Sequence, residues 1–152
     1  MAKERKNKMN VLTGSAGEYF VAAELSRRGV VAALTMAGTD AFDILAVNKA
    51  GKSCAIQEKT SWLLSSKDET PKADFYVFVR LNGESLPDYY IMQAEEVAVT
   101  IRESHAKWLA TPKKDGTPHT PISMREIQIK YHDENAYNRW ELITGEEDDG
   151  KE

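Results

Sequence analysis

Cysteine is nearly absent from this chain of 152 residues: there is one, Cys54. A single thiol excludes an internal disulfide and suits a reducing compartment. Long apolar runs are missing too, since none approaches the ~20 residues that a bilayer-spanning helix needs. The basic opening residues, Met1 to Lys8, are not followed by the apolar core of a secretory signal. The expectation is a cytoplasmic protein. Charge of one sign is not in excess: 20 Lys and Arg against 24 Asp and Glu give a formal net charge of -4. That excludes a histone-like polycation but leaves room for a local basic groove. Histidine is scarce, and His105 has no second His or Cys nearby at metal-ligand spacing, so it reads as a packed or half-exposed helix residue. There is no internal repeat and no interdomain linker.

What is present is ordinary for a globular domain, 41% hydrophobic and 29% charged residues, in a chain long enough to bury one core. The organising stretch is Gly38 to Lys59. Two apolar runs, Phe42–Val47 and Ser53–Lys59, flank Asn48-Lys49-Ala50-Gly51, where Gly51 supplies the positive φ of a tight turn. This predicts a β-hairpin. The start of one strand then lies beside the end of the other, so Asp43, Gln57 and Lys59 meet at one end of the sheet. Asp40 sits in the preceding turn, out of phase with Asp43, and reads as a loop residue. Strand alternation puts Gln57 and Lys59 on one face and Cys54, Ile56 and Glu58 on the other. Glu58 then either reaches water, is paired, or is rotated into the cleft by a β-bulge.

Around this hairpin the chain divides simply. Residues 1–12 read as a basic flexible arm, residues 13–143 as a single domain, and residues 144–152 as an acidic disordered tail. Thr13 to Arg28 reads as a helix capped by Thr13 or Ser15, with Glu18 either a capping-box partner of Ser15 or a carboxylate aimed at Asp43. Val30–Met36 is a strand. Thr60–Lys72 is a polar connection with a short helix or ordered loop. Phe75–Leu81 is so continuously apolar that it predicts a strand covered on both faces. Asp88–Gln93 follows as a strand and Ala94–Ala110 as a helix. Thr111–Ser123 is a loop whose Lys113, Lys114 and His119 are either solvated or in contact with phosphates. Met124–Tyr131 reads as a short strand and Asn135–Ile143 as a short helix. The expected class is α/β, a mixed sheet flanked by helices.

A carboxylate, an amide oxygen and an ammonium at one point suit phosphodiester hydrolysis. Oxygen ligands can hold a hard cation, and a lysine can hold the water and offset phosphate charge. Glu18 on the first helix, Asp43 opening a strand and Gln57-Glu58-Lys59 closing the next resemble the PD-(D/E)xK nuclease superfamily. The nearest likeness is to its small variants akin to Holliday-junction resolvases and restriction endonucleases, with Gln in the final motif. The resemblance covers Gly14 to about Gln93. It implies a restriction-endonuclease-like fold and a Mg2+- (or Mn2+-) dependent endonuclease acting on DNA. Asp43 would be the central metal ligand, joined by Gln57 and the Glu58 backbone carbonyl, with Lys59 as catalytic lysine and Glu18 as a further acid. Two departures stand out: Gln57 is neutral where the motif has an acid, and Glu58 takes a place usually apolar. The alternative is a catalytically silent nuclease-fold protein that binds nucleic acid or another protein. Cutting both strands is compatible with a homodimer, although no heptad or apolar surface stripe is read as establishing one.

Overall fold

The computed structural model describes residues 1–36, 42–121, 126–129 and 134–145. Helix α1 (Ala2–Arg27) leads into strands β1 (Val31–Leu34), β2 (Ile44–Val47), β3 (Ser53–Lys59) and β4 (Leu63–Ser65) and a 3-10 turn (Ser66–Glu69). Then come β5 (Phe75–Asn82), β6 (Ser85–Gln93), α2 (Ala94–Ala110), β7 (Glu126–Gln128) and a closing helical turn, α3 (Glu141–Thr144). Five strands form one mixed sheet in the order β1-β2-β3-β5-β6, and β4 pairs with β7 apart from it. Among the described residues the only parallel pairing in the large sheet is β3 with β5, so the chain crosses over between them, carrying β4 and the 3-10 turn. This is the expected α/β class.

β5 earns its place by composition. Tyr76, Val77, Phe78 and Val79 are all buried, as a strand covered on both sides requires. Val77 and Val79 join Val21 and Leu25 of α1 and Ile44, Ala46 and Ile56 in one core. Tyr76 and Phe78 join Val97 and Ile101 of α2 in the other. Cover is not uniform, however. Among the described residues only the α1 face of β1 and β2 is closed; on the other face Val31 stays 69% and Leu45 43% exposed. Apolar strands at this end of the sheet are thus shielded once rather than twice. Among the described residues no helix is long and apolar enough to cross a membrane.

Three expectations change. Residues 2–12, expected as a basic arm, are the opening turns of α1, every one of them exposed. The good helix formers Ala, Lys, Glu, Arg and Met in this stretch, with Glu4 at the positive end of the dipole, account for the extension. Consequently Ser15 and Glu18 lie inside the helix, and the capping-box reading of Glu18 falls. Thr13 instead donates its hydroxyl proton to the Met9 carbonyl at 2.9 Å. The short helix expected over Asn135–Ile143 shrinks to α3. Tyr137 bridges to Tyr90 of β6 instead, and Gly145 stops the helix in the left-handed conformation, φ 71°. The loop with Asp40, part of the strand expected at Met124–Tyr131, and the acidic tail from residue 146 lie outside the described residues.

Candidate active site

The hairpin closes as its turn chemistry dictates. Asn48 Oδ1 accepts the N–H groups of Ala50 and Lys52, both at 3.0 Å, and Gly51 takes φ 78°. The resulting register pairs Ile44 with Ile56, which sets Asp43 beside Gln57. The backbone of Asp43 is held from both sides: its N–H donates to the Ile56 carbonyl, and its carbonyl accepts from the Thr35 N–H, both at 2.9 Å. The Thr35 hydroxyl donates to the Phe42 carbonyl at 2.8 Å.

So anchored, the Asp43 carboxylate turns along the sheet end. Its Oδ2 accepts the Gln57 side-chain N–H and the Glu58 backbone N–H, each at 2.7 Å. These bonds do not use Oδ1, and Gln57 keeps its carbonyl oxygen as the atom it can offer a cation. Lys59 shares the face of Gln57, and its charge acts on both Asp43 and Glu58. The expected convergence of Asp43, Gln57 and Lys59 is therefore present, with Glu18 at its edge, near enough for Asp43 to raise its pKa.

Negative charge dominates this place. Burial raises the Asp43 pKa, against the opposing effects of the Glu58 N–H, Lys59 and Gln57. Burial and then Asp43 raise that of Glu18. Tyr76, beside Gln57 in the parallel register, is pushed up to about 12 by burial and then by Asp68 and Asp43. The Asp43 and Glu18 carboxyl groups outweigh the single Lys59 ammonium, a balance that attracts a cation.

Glu58 completes the group from the other side of the sheet. The register from Ile56 to Lys59 against β5 is unbroken, so no bulge turns it into the cleft, and the bulge reading falls. Its side chain faces α1 and is 6% exposed. Among the described residues it is the one buried charged side chain, and its Oε1 has no hydrogen-bond partner. The pKa is raised to about 8, by burial first, then Asp43 and Glu18, against Lys59. The carboxyl is thus protonated at neutral pH, the cheap form for a buried group. α1 makes room for it at Gly17, where a Cβ would overlap Glu58 Oε1 and lie 2.7 Å from its Cδ and 2.8 Å from Thr60 Cγ2. Gly17, Thr35 and Tyr76 are the contributors that sequence reasoning missed. A glycine inside a helix was the one available signal.

Lys113 and Lys114 are exposed after α2, in a turn closed by the Gly116 N–H donating to the Lys113 carbonyl at 2.9 Å. His119 stacks on Trp108 with ring centroids 3.9 Å apart. His105 is packed as expected, its side chain 13% exposed and its Nδ1 3.8 Å from Glu69 Oε2.

No family model matches the chain, and neither the curated proteins nor the solved structures offer a match. The donor set itself suits a hard divalent cation: carboxylate and amide oxygens, with no thiolate or imidazole. Among the described residues no three His, Cys, Asp or Glu side chains gather closely enough to hold a metal by themselves. An ion here would rest on Asp43, the Gln57 amide oxygen, the Glu58 backbone carbonyl and water, as Mg2+ tolerates.

Proposed function

We propose that the protein is a metal-dependent endonuclease that hydrolyses DNA phosphodiester bonds. The observation that carries this reading is the Gln57–Asp43 hydrogen bond at 2.7 Å, which joins an acid just before β2 to an amide of β3, two residues from Lys59. Asp43 and Gln57, with the Glu58 backbone carbonyl, would hold Mg2+ or Mn2+. When bound, the ion supplies charge neutralisation at phosphorus and a more acidic water. Lys59 positions the attacking water and offsets phosphate charge. Glu18 orients water at the rim. Lys113, Lys114 and His119 grip the DNA backbone outside the cleft. The single half-buried Cys54 suits the cytoplasm.

A second reading rests on Gln57 itself. A neutral residue in place of an acid weakens the hold on magnesium, which favours a silent nuclease-fold module that binds DNA without cutting it. Calorimetry with Mg2+ and Mn2+ alongside gel shifts separates the two. The nuclease reading expects divalent binding that Asp43→Ala removes. DNA shifts that Asp43→Ala leaves intact, without any metal binding by the parent chain, would favour the module.

A further inference from the structure

α1 buries Gly17, Val21 and Leu25 against the sheet. Its far side is apolar as well. Met9, Leu12, Ala16, Tyr19 and Ala23 follow one another at intervals of three and four residues, the spacing of a two-helix seam. At about 100° per residue this row lies on roughly the opposite side from Gly17, Val21 and Leu25. Met9 is 61%, Leu12 55% and Tyr19 65% exposed. No cation or acid interrupts the row, so a phosphate backbone is not what it fits.

We propose that this row pairs with the same row of a second copy, antiparallel, to form a two-fold homodimer. The size pattern selects that partner and direction. Antiparallel pairing sets Leu12 against Ala23, Tyr19 against Ala16, and Met9 against Ser26, large against small in each layer. A parallel pair would stack Tyr19 on Tyr19 and Ala16 on Ala16, alternating crowded and empty layers. A parallel pair would press together two first turns carrying Lys3, Arg5, Lys6 and Lys8 against Glu4 alone, while the antiparallel pair sets Lys8 against Arg27, so the size pattern and not the charge fixes the direction.

The surface beside the row agrees. At its C-terminal half, Phe20, Ala23 and Arg27 form a groove of about 300 Å³ with Leu86, Pro87 and Tyr137 of the opposing wall. Leu86 is 85% and Tyr137 47% exposed. Antiparallel pairing delivers Met9 and Leu12 of the second copy to this end of the helix, and two-fold symmetry fills both grooves at once. The dimer does not depend on whether the Asp43 site cuts DNA.

Sedimentation over a wide concentration range tests this on the full chain. The parent should reach twice its 17.0 kDa mass, and Leu12→Glu should weaken the dimer by roughly 30-fold or more, the effect of losing a hot-spot side chain. Leu12 is exposed in the single chain, so the variant should keep its circular dichroism and its unfolding midpoint. A second pair of variants reads direction. In a Cys54→Ser background, Leu12→Cys chains mixed with Ala23→Cys chains should form a mixed disulfide. A parent that stays monomeric, or a dimer indifferent to Leu12→Glu, would overturn the proposal. So would Leu12→Cys chains that link to one another in preference to Ala23→Cys chains.

Discussion

Glu58→Gln offers the sharpest look at how this site is built. The parent carboxyl has a pKa of about 8 in the folded chain against 4.5 in its ordinary state. Below pH ~4.5 both folded and unfolded chains hold the proton, and the buried neutral acid contributes its full stability. From there to pH ~8 the unfolded chain ionises while the folded chain keeps its proton. Stability then falls with rising pH by up to about 1.4 kcal/mol per unit. The whole loss is on the order of 5 kcal/mol, comparable with the net stability of a domain. Asp43 and Glu18 are raised as well, so they add a smaller slope of the same sign. Gln keeps the shape and cannot ionise. Urea unfolding in EDTA at several pH values should therefore show a steep decline for the parent and a much shallower one for Glu58→Gln. Parallel curves for the two proteins would refute the burial argument.

Other consequences follow from the same contacts. Gly17→Ala would gain about 1 kcal/mol in an open helix, but here it should cost roughly 1–3 kcal/mol through overpacking, and Glu58→Ala in the same chain should recover part of that in urea melts. Lys59→Ala should lower any cleavage rate by about 100-fold or more while leaving the unfolding midpoint close to the parent's, because an intermediate-exposure lysine contributes little to packing. Phe78→Ala, at a position with no exposure, should cost about 3–5 kcal/mol in the same melts.

The legible parts were those set by short-range rules. The β2–β3 hairpin could be read because Asn48 and Gly51 fix the turn and alternation fixes the faces. Asp43, Gln57 and Lys59 were found together for that reason. α2 was read to its ends because Val97, Ile101, His105 and Trp108 recur at helical spacing; the structure adds a Gln93 N–H donating to Glu96 Oε2 at 3.0 Å at its start. What escaped depends on distant partners. β4 is three residues long and exists through pairing with β7, about sixty residues away in the chain. The depth at which Glu58 is buried depends on Gly17 bringing α1 close, which strand parity cannot show. The outer row of α1 was hidden differently: taking residues 1–12 as a polar arm cut off Met9 and Leu12, and without them Ala16, Tyr19 and Ala23 do not form a seam.

The most direct test of the nuclease reading is cleavage of labelled linear, supercoiled and branched DNA by the purified chain, titrated with Mg2+ or Mn2+ and run beside Asp43→Ala. The account predicts cutting that appears with the divalent ion, disappears in EDTA and is lost in Asp43→Ala although that variant remains folded. Cutting that persists in EDTA or survives Asp43→Ala would contradict it, as would a metal-replete parent that binds these DNAs and leaves all of them whole.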